Sequence, residues 1–180
     1  MKLTEKKLTS KLIYDGKILK LFLDDVELPD GTASKREYVR HCGGAAVLFL
    51  KDDCVALVKQ YRYAYGKEMY EIPAGKMDEG ESAVQAAKRE LEEETGYRAR
   101  NIKRLLEIYP SPGYTDEIIN IFYVDDADFV GEKLDDGEFL KCDFLPLDKV
   151  KALIDGGEIC DAKTVTAIYK YIADKEGSKK

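Results

Sequence analysis

Residues Gly75–Tyr97 read GKMDEGESAVQAAKRELEEETGY, and the organisation of the chain follows outward from them. The spacing predicts a helix over Glu81–Thr95, closed by Gly96 where a left-handed cap is easiest. On that helix Glu90, Glu93 and Glu94 stand at i, i+3 and i+4, so they share one face. Like charges so placed repel and cost helix stability unless something neutralises them. A divalent cation does so, and hard oxygen ligands suit Mg²⁺ or Mn²⁺. Arg89 can fork onto a neighbouring carboxylate and hold it. Ala83, Ala86, Ala87 and Leu91 are expected to form the opposite, buried face. Pro73-Ala74-Gly75 reads as a turn whose backbone carbonyls can approach the same cation, because Gly75 has no side chain to block them. Three glutamates alone would describe an ordinary solvated helix face. The full set of spaced positions carries the functional reading.

On either side of this segment the pattern alternates between short apolar runs and turns. Lys11–Leu28 reads as a hairpin broken at Asp15-Gly16 and ended by Pro29-Asp30-Gly31. Glu37–His41 reads as a short strand. Ala45–Leu50 and Val55–Gln60 form a second hairpin around Lys51-Asp52-Asp53, and Met69–Ile72 a short strand ended by Pro73. After the central helix come strands at Ile102–Tyr109 and Ile118–Asp125, around Pro110-Ser111-Pro112-Gly113, and at Phe139–Leu145. Helices follow at Leu147–Ile154 and at Ala162–Ala173, the last with Asp161 as its cap. Together these give an α/β or α+β sandwich, a mixed sheet with helices on its faces. The first hairpin stands apart as a small antiparallel sheet that packs elsewhere, on a partner subunit. The expected division is residues 1–40 as N-terminal strands, 41–175 as the main domain and 176–180 as a disordered tail.

A chain of 180 residues suits one domain with a small extra layer. A formal net charge of −6 argues against a broad nucleic-acid footprint, though a bound metal can supply positive charge locally to a phosphorylated ligand. No run approaches a membrane span or a signal peptide. The four cysteines, Cys42, Cys54, Cys142 and Cys160, form no C-x-x-C pair. They read as buried small apolar residues in a reducing cytoplasm. The single histidine, His41, sits at a strand end with no evident partner and reads as structural.

The central segment resembles the Nudix box, G-x5-E-x7-R-E-U-x-E-E-x-G-U with U a bulky apolar residue. Gly75, Glu81, Arg89, Glu90, Leu91, Glu93, Glu94 and Gly96 occupy its fixed positions. Tyr97 stands where an aliphatic residue is usual. The resemblance implies an α/β/α sandwich and metal-dependent hydrolysis of a nucleoside diphosphate linked to a second moiety. Outside the box, Val58-Lys59-Gln60-Tyr61-Arg62, Tyr70–Gly75, Arg36-Glu37 and Ser111–Glu117 look like the ADP-ribose pyrophosphatase branch. Pro112 follows Gly96 by 16 residues, the spacing that marks that branch.

The branch resemblance implies a homodimer with exchanged N-terminal sheets, two or more Mg²⁺ or Mn²⁺ ions, and cleavage of ADP-ribose to AMP and ribose 5-phosphate. It implies metal ligands at Ala74 (by its carbonyl), Glu90, Glu94 and Glu138, with Glu93 adding a ligand or a water contact. Gly75, Glu81, Arg89 and Gly96 would support the motif structurally. Substrate contacts fall on Arg36, Arg62, Lys76, Ser111, Gly113 and Glu117. The general base falls on Glu138 in Asp135-Asp136-Gly137-Glu138, with Glu117 and Glu93 as alternatives. Tyr61, Tyr63, Tyr65 and Tyr70 could stack adenine but read more readily as core or interface. Two other readings stay open: a nucleotide-sugar or NADH as substrate, and a nucleotide-binding domain that does not cut.

Overall fold

The computed structural model describes residues 2–131, 133–134, 137 and 139–177. They divide into two units: Met1–Gly43 with Tyr109–Ile118, and Gly44–Ile108 with Ile119–Lys180. In the first unit, β1 (Lys6–Asp15), β2 (Lys20–Glu27) and β3 (Ala33–Arg40) form an antiparallel sheet in that order. β1 begins earlier than the hairpin read from sequence, and β3 begins at Ala33 rather than Glu37. Both added stretches are mostly polar and largely exposed, with Leu8 the one large apolar side chain, so no apolar alternation marks them, and the ladder to β2 defines them. The turn Ser111–Glu117 is tied to β3: Val39 N–H donates to Tyr114 O at 2.7 Å, and Asp116 N–H to Val39 O at 3.2 Å.

In the second unit, β4 (Gly44–Lys51) is apolar almost throughout because both its faces are covered. It turns into β5 (Cys54–Arg62) through Asp52 and Asp53, both at positive φ, 51° and 60°. That geometry lets two residues reverse the chain, and Asp tolerates it better than most side chains. A 3-10 turn at Tyr63–Tyr65 leads to β6 (Lys67–Glu71), paired with β5, and then to β7 (Ala74–Lys76), paired with β4. So Ala74–Lys76 is a short strand rather than a turn. Its pairing with Gly44–Ala46 is a long-range contact that three residues of sequence do not announce.

Beyond β7 lie α1 (Ala83–Thr95), β8 (Tyr97–Ala99), β9 (Lys103–Ile108), β10 (Ile119–Val124), β11 (Ala127–Phe129), β12 (Leu140–Pro146), α2 (Leu147–Asp155) and α3 (Ala162–Gly177). The main sheet runs β12-β5-β4-β10-β9, with β6 and β7 as side pairings. β10 lies parallel to β4 while the other pairings are antiparallel, so the sheet is mixed. β8 and β11 form a separate two-stranded ribbon that is too short to read from sequence.

β4 supplies both cores. Ala45, Val47 and Phe49 pack with Ala86, Ala87 and Leu91 of α1. Ala46, Leu48 and Leu50 pack with Val150 of α2 and with Ala167 and Ile168 of α3. Each fully buried aliphatic side chain contributes about 1.5–3 kcal/mol. α3 continues to Gly177, past its expected end at Ala173, so residues 176 and 177 are helical; residues 178–180 lie outside the described residues. Cys42 and Cys160 are exposed and Cys54 and Cys142 only partly buried, which overturns the expectation of four buried cysteines. Cys42 lies in the segment after β3 and Cys160 just before α3, where a small side chain fits as readily as in a core. No helix among the described residues is long and apolar enough to cross a membrane.

Candidate active site

α1 opens with a capping box. Ser82 Oγ accepts from Gln85 N–H at 3.4 Å, while Gln85 Oε1 accepts from Ser82 N–H at 3.0 Å. The helix therefore starts after Glu81 instead of at it, which leaves Glu81 outside the first turn to reach Arg89. Gly96 closes the other end at φ 74°, its N–H donating to Glu92 O at 2.9 Å.

The acidic face is not opposite the buried face. Glu90 and Glu94 are 8% and 3% exposed, buried beside Leu91, while Ala83 is only half-buried. Ala86, Glu90 and Glu94 form one i, i+4 row, and Ala87, Leu91 and Thr95 form the next, so carboxylates and core share a boundary. β7 lies over the first row. A Cβ on Gly75 would stand 1.9 Å from Glu90 Oε1, so glycine here makes the space that the carboxylate fills. Ala74 N–H donates to Glu94 Oε2 at 2.9 Å.

Arg89 answers the repulsion. Its Nε and Nη2 donate to Glu81 at 3.1 and 3.0 Å. Its Nη1 donates to Glu90 Oε1 at 2.7 Å and to Glu93 Oε2 at 2.9 Å, and Nη2 also reaches Lys76 O at 3.0 Å. The hydrogen bonds to Glu81 raise the guanidinium's pKa above its ordinary value, against the effect of burial, and those to Glu90 and Glu93 add to it. In return Arg89 holds the Glu81 carboxyl below the usual range. One guanidinium is thus shared among three carboxylates.

Among the described residues, no three His, Cys, Asp or Glu side chains converge as a ready-made metal site. Arg89 and Ala74 N–H account for that, since they hold oxygens of Glu90, Glu93 and Glu94. The donor chemistry nonetheless fits a hard divalent cation. It offers three carboxylates within two helical turns, two of them buried, beside a cradle that any Cβ at residue 75 would fill.

A family model described as the NUDIX domain matches residues 40–167, and one for the nucleoside diphosphate sugar hydrolase N-terminal domain matches residues 5–39. The chain belongs to the Nudix family. It is a hydrolase of that family, whose members generally depend on a divalent metal. An ADP-ribose pyrophosphatase of Bacillus subtilis is 42% identical over 177 residues, covering 97% of this chain and 95% of that one. A methanol dehydrogenase activator of Bacillus methanolicus is 40% identical over 181 residues, covering 97% and 96%. A crystal structure of an ADP compounds hydrolase shares the fold, with a TM-score of 0.86 over 99% of this chain and 98% of that one at 24% identity.

The other residues expected in the Nudix site fall in both units. In the second, Arg62 is engaged by the buried Glu71, Nε to Oε1 at 2.5 Å and Nη2 to Oε2 at 2.6 Å. The Lys76 side chain is exposed on β7. Tyr61, Tyr63 and Tyr65 are exposed, and only Tyr70 packs on the core. In the first unit, Arg36 is held by Glu5 through Nε at 2.9 Å and Nη2 at 2.5 Å. Ser111 O accepts from the N–H groups of Tyr114 and Thr115, both at 3.2 Å, which makes the turn. A Cβ on Gly113 would meet nothing of the chain. Glu117 lies 3.5 Å from His41 Nδ1, which also accepts from Gly43 N–H at 3.1 Å. His41 thus has partners after all, in a turn that sequence proximity does not bring near it. Glu138, Asp135 and Asp136 lie outside the described residues. Glu71 and Lys163 did not stand out in the sequence, and Asp161 stood out only as the cap of the last helix, which Thr164 N–H makes it by donating to Asp161 Oδ2 at 3.0 Å. A charged residue directly before the apolar Ile72 in a short strand was the available signal for Glu71, because a buried charge requires a partner.

Proposed function

We propose that this Nudix hydrolase cleaves ADP-ribose to AMP and ribose 5-phosphate with the help of Mg²⁺ or Mn²⁺. The observation that carries the reading is the buried Glu90–Glu94 row under Gly75, in a chain similar along nearly its whole length to an ADP-ribose pyrophosphatase. Glu90, Glu94 and the Ala74 carbonyl would hold two or more ions, with Glu93 contributing an oxygen or a water contact. When bound, the metal supplies positive charge to the diphosphate and makes water more acidic.

The chain's own residues do the rest. Arg89 keeps Glu90 and Glu93 oriented from the side, and Glu81 anchors Arg89. Arg62 and Lys76 add cationic contacts to the diphosphate. Arg36 would also contact the substrate, and Ser111, Gly113 and Glu117 would line its terminal-ribose side. The Arg36–Glu5 pair is exposed, and such pairs are worth about 0–1 kcal/mol, so substrate can displace Glu5 at small cost. A carboxylate takes the proton of the attacking water as the P–O–P link breaks. Glu138 is the first choice for that base, then Glu117, then Glu93, which already accepts from Arg89.

The chain acts as a homodimer. Every residue of β1 is exposed, including Leu8, Leu12, Ile13 and Tyr14, and a long apolar edge of this kind needs cover. Light scattering that finds a monomer at micromolar concentration contradicts this. The substrate is tested with ADP-ribose, GDP-mannose, UDP-glucose and NADH under a Mg²⁺ and Mn²⁺ titration, with products identified by chromatography. Preference for ADP-ribose with release of AMP supports the assignment. Preference for another compound replaces the substrate, and binding without turnover at any metal concentration removes the hydrolase mechanism.

A further inference from the structure

A second charged cluster lies outside the α1 carboxylates, where the start of α3 meets the end of β6. Glu71 is 2% exposed and sits between two cations. Arg62 grips it with Nε and Nη2, and Lys163 Nζ binds its Oε2. Lys163, itself 8% exposed, also reaches Asp161 Oδ1 at 3.0 Å. Asp161 Oδ2 caps α3 by accepting from Thr164 N–H at 3.0 Å, and Thr164 Oγ1 accepts from Ile72 N–H at 2.8 Å. The cap of α3 is therefore laced to the backbone two residues before Ala74.

Buried ion pairs seldom stabilise a fold beyond what apolar residues of the same volume would do. What they supply is fixed geometry. A carboxylate gripped by one arginine can rotate with it; one gripped also by a buried lysine cannot. Arg62 spends Nε and Nη2 on Glu71 and leaves Nη1 outside that fork. Its side chain is 40% exposed, and it lies near enough to Glu94 to feel that charge.

We propose that Lys163 and Glu71 are positioning residues, which lock Arg62 so that its Nη1 edge meets the diphosphate of the substrate. The inference rests on the reading of Arg62 as a substrate contact and assigns α3 a part in the site. Lys163 acts only through Arg62, so the two must be coupled.

The test is a double-mutant cycle of Lys163→Met and Arg62→Ala, with steady-state kinetics at saturating Mg²⁺ and a melting curve for each variant. Lys163→Met is expected to lower kcat/KM roughly 10- to 100-fold, the scale at which misplaced contacts act. The loss should fall mainly on KM, because Arg62 contacts the ground state as well as the transition state. In the Arg62→Ala background the same change should cost less than about twofold. Lys163→Arg should recover most of the loss. Equal losses in both backgrounds, or an unchanged kcat/KM in Lys163→Met, overturn the proposal, whatever the melting temperatures do. If Lys163→Met does not fold, Glu71→Gln, which keeps the shape and an acceptor, enters the cycle in its place under the same criteria. The cycle is read on the best substrate of the panel, so an enzyme that ignores ADP-ribose disproves the substrate assignment while this coupling passes or fails separately.

Discussion

At residue 75 a hydrogen atom stands where any other side chain would place carbon against Glu90. Gly75→Ala should therefore push the Glu90 carboxylate aside, which a flexible side-chain end can accommodate without unfolding. The expected result is a fall in activity of about 100-fold with a higher Mg²⁺ requirement, seen in a metal titration; an unchanged titration would contradict it. Glu94→Gln keeps an acceptor for Ala74 N–H and removes the charge. It should abolish most activity while the melting temperature stays within about 4 °C of the parent, a shift of roughly 1 kcal/mol in a chain of this size. A collapse of the melting temperature would instead make Glu94 a folding residue. The spacing of Glu90, Glu93 and Glu94 was legible in the sequence because a helix repeats locally. The Glu71–Lys163 contact was not, since its partners are 92 residues apart and no local period links them.

Among the elements, those with apolar periodicity were legible to within a residue or two: β4, β5, β10, α2 and the body of α1. β7, β8 and β11 were not, because three-residue strands carry no period and exist only through their pairing partners. The start of α1 was misplaced for a related reason. Glu81 favours helix, but Ser82 has the better capping chemistry, and the reciprocal bonds with Gln85 decide the boundary. Ser82→Ala should cost about 1 kcal/mol, read as a lower urea midpoint at unchanged slope. If the kinetic constants also collapse, the cap matters to the site through Glu81 and Arg89 and is more than a helix end.

For the whole molecule, acid stability follows from the cluster that joins α3 to β6. Burial pushes the Glu71 carboxyl up, but its bonds with Arg62 and Lys163 outweigh this and hold it below 4.5, its ordinary value. A depressed carboxylate stabilises the fold fully above its unfolded pKa, and the contribution disappears as pH falls through the lower folded value. Unfolding followed by circular dichroism should therefore set in below about pH 4.5, and Lys163→Met should move the midpoint to higher pH. No shift of that midpoint would mean that Arg62 alone sets the carboxyl. The two layers of the sandwich meet on one strand: odd-numbered residues of β4 face α1 and even-numbered ones face α2 and α3. The strand therefore behaves as a reading frame. One inserted residue after Ala45 would exchange both cores at once. Two inserted residues would restore the alternation, yet would shift the pairing of Ala45 with Gly75 and carry the glycine off Glu90. Insertion scanning should find β4 open to changes of apolar side chain and closed to any change of length.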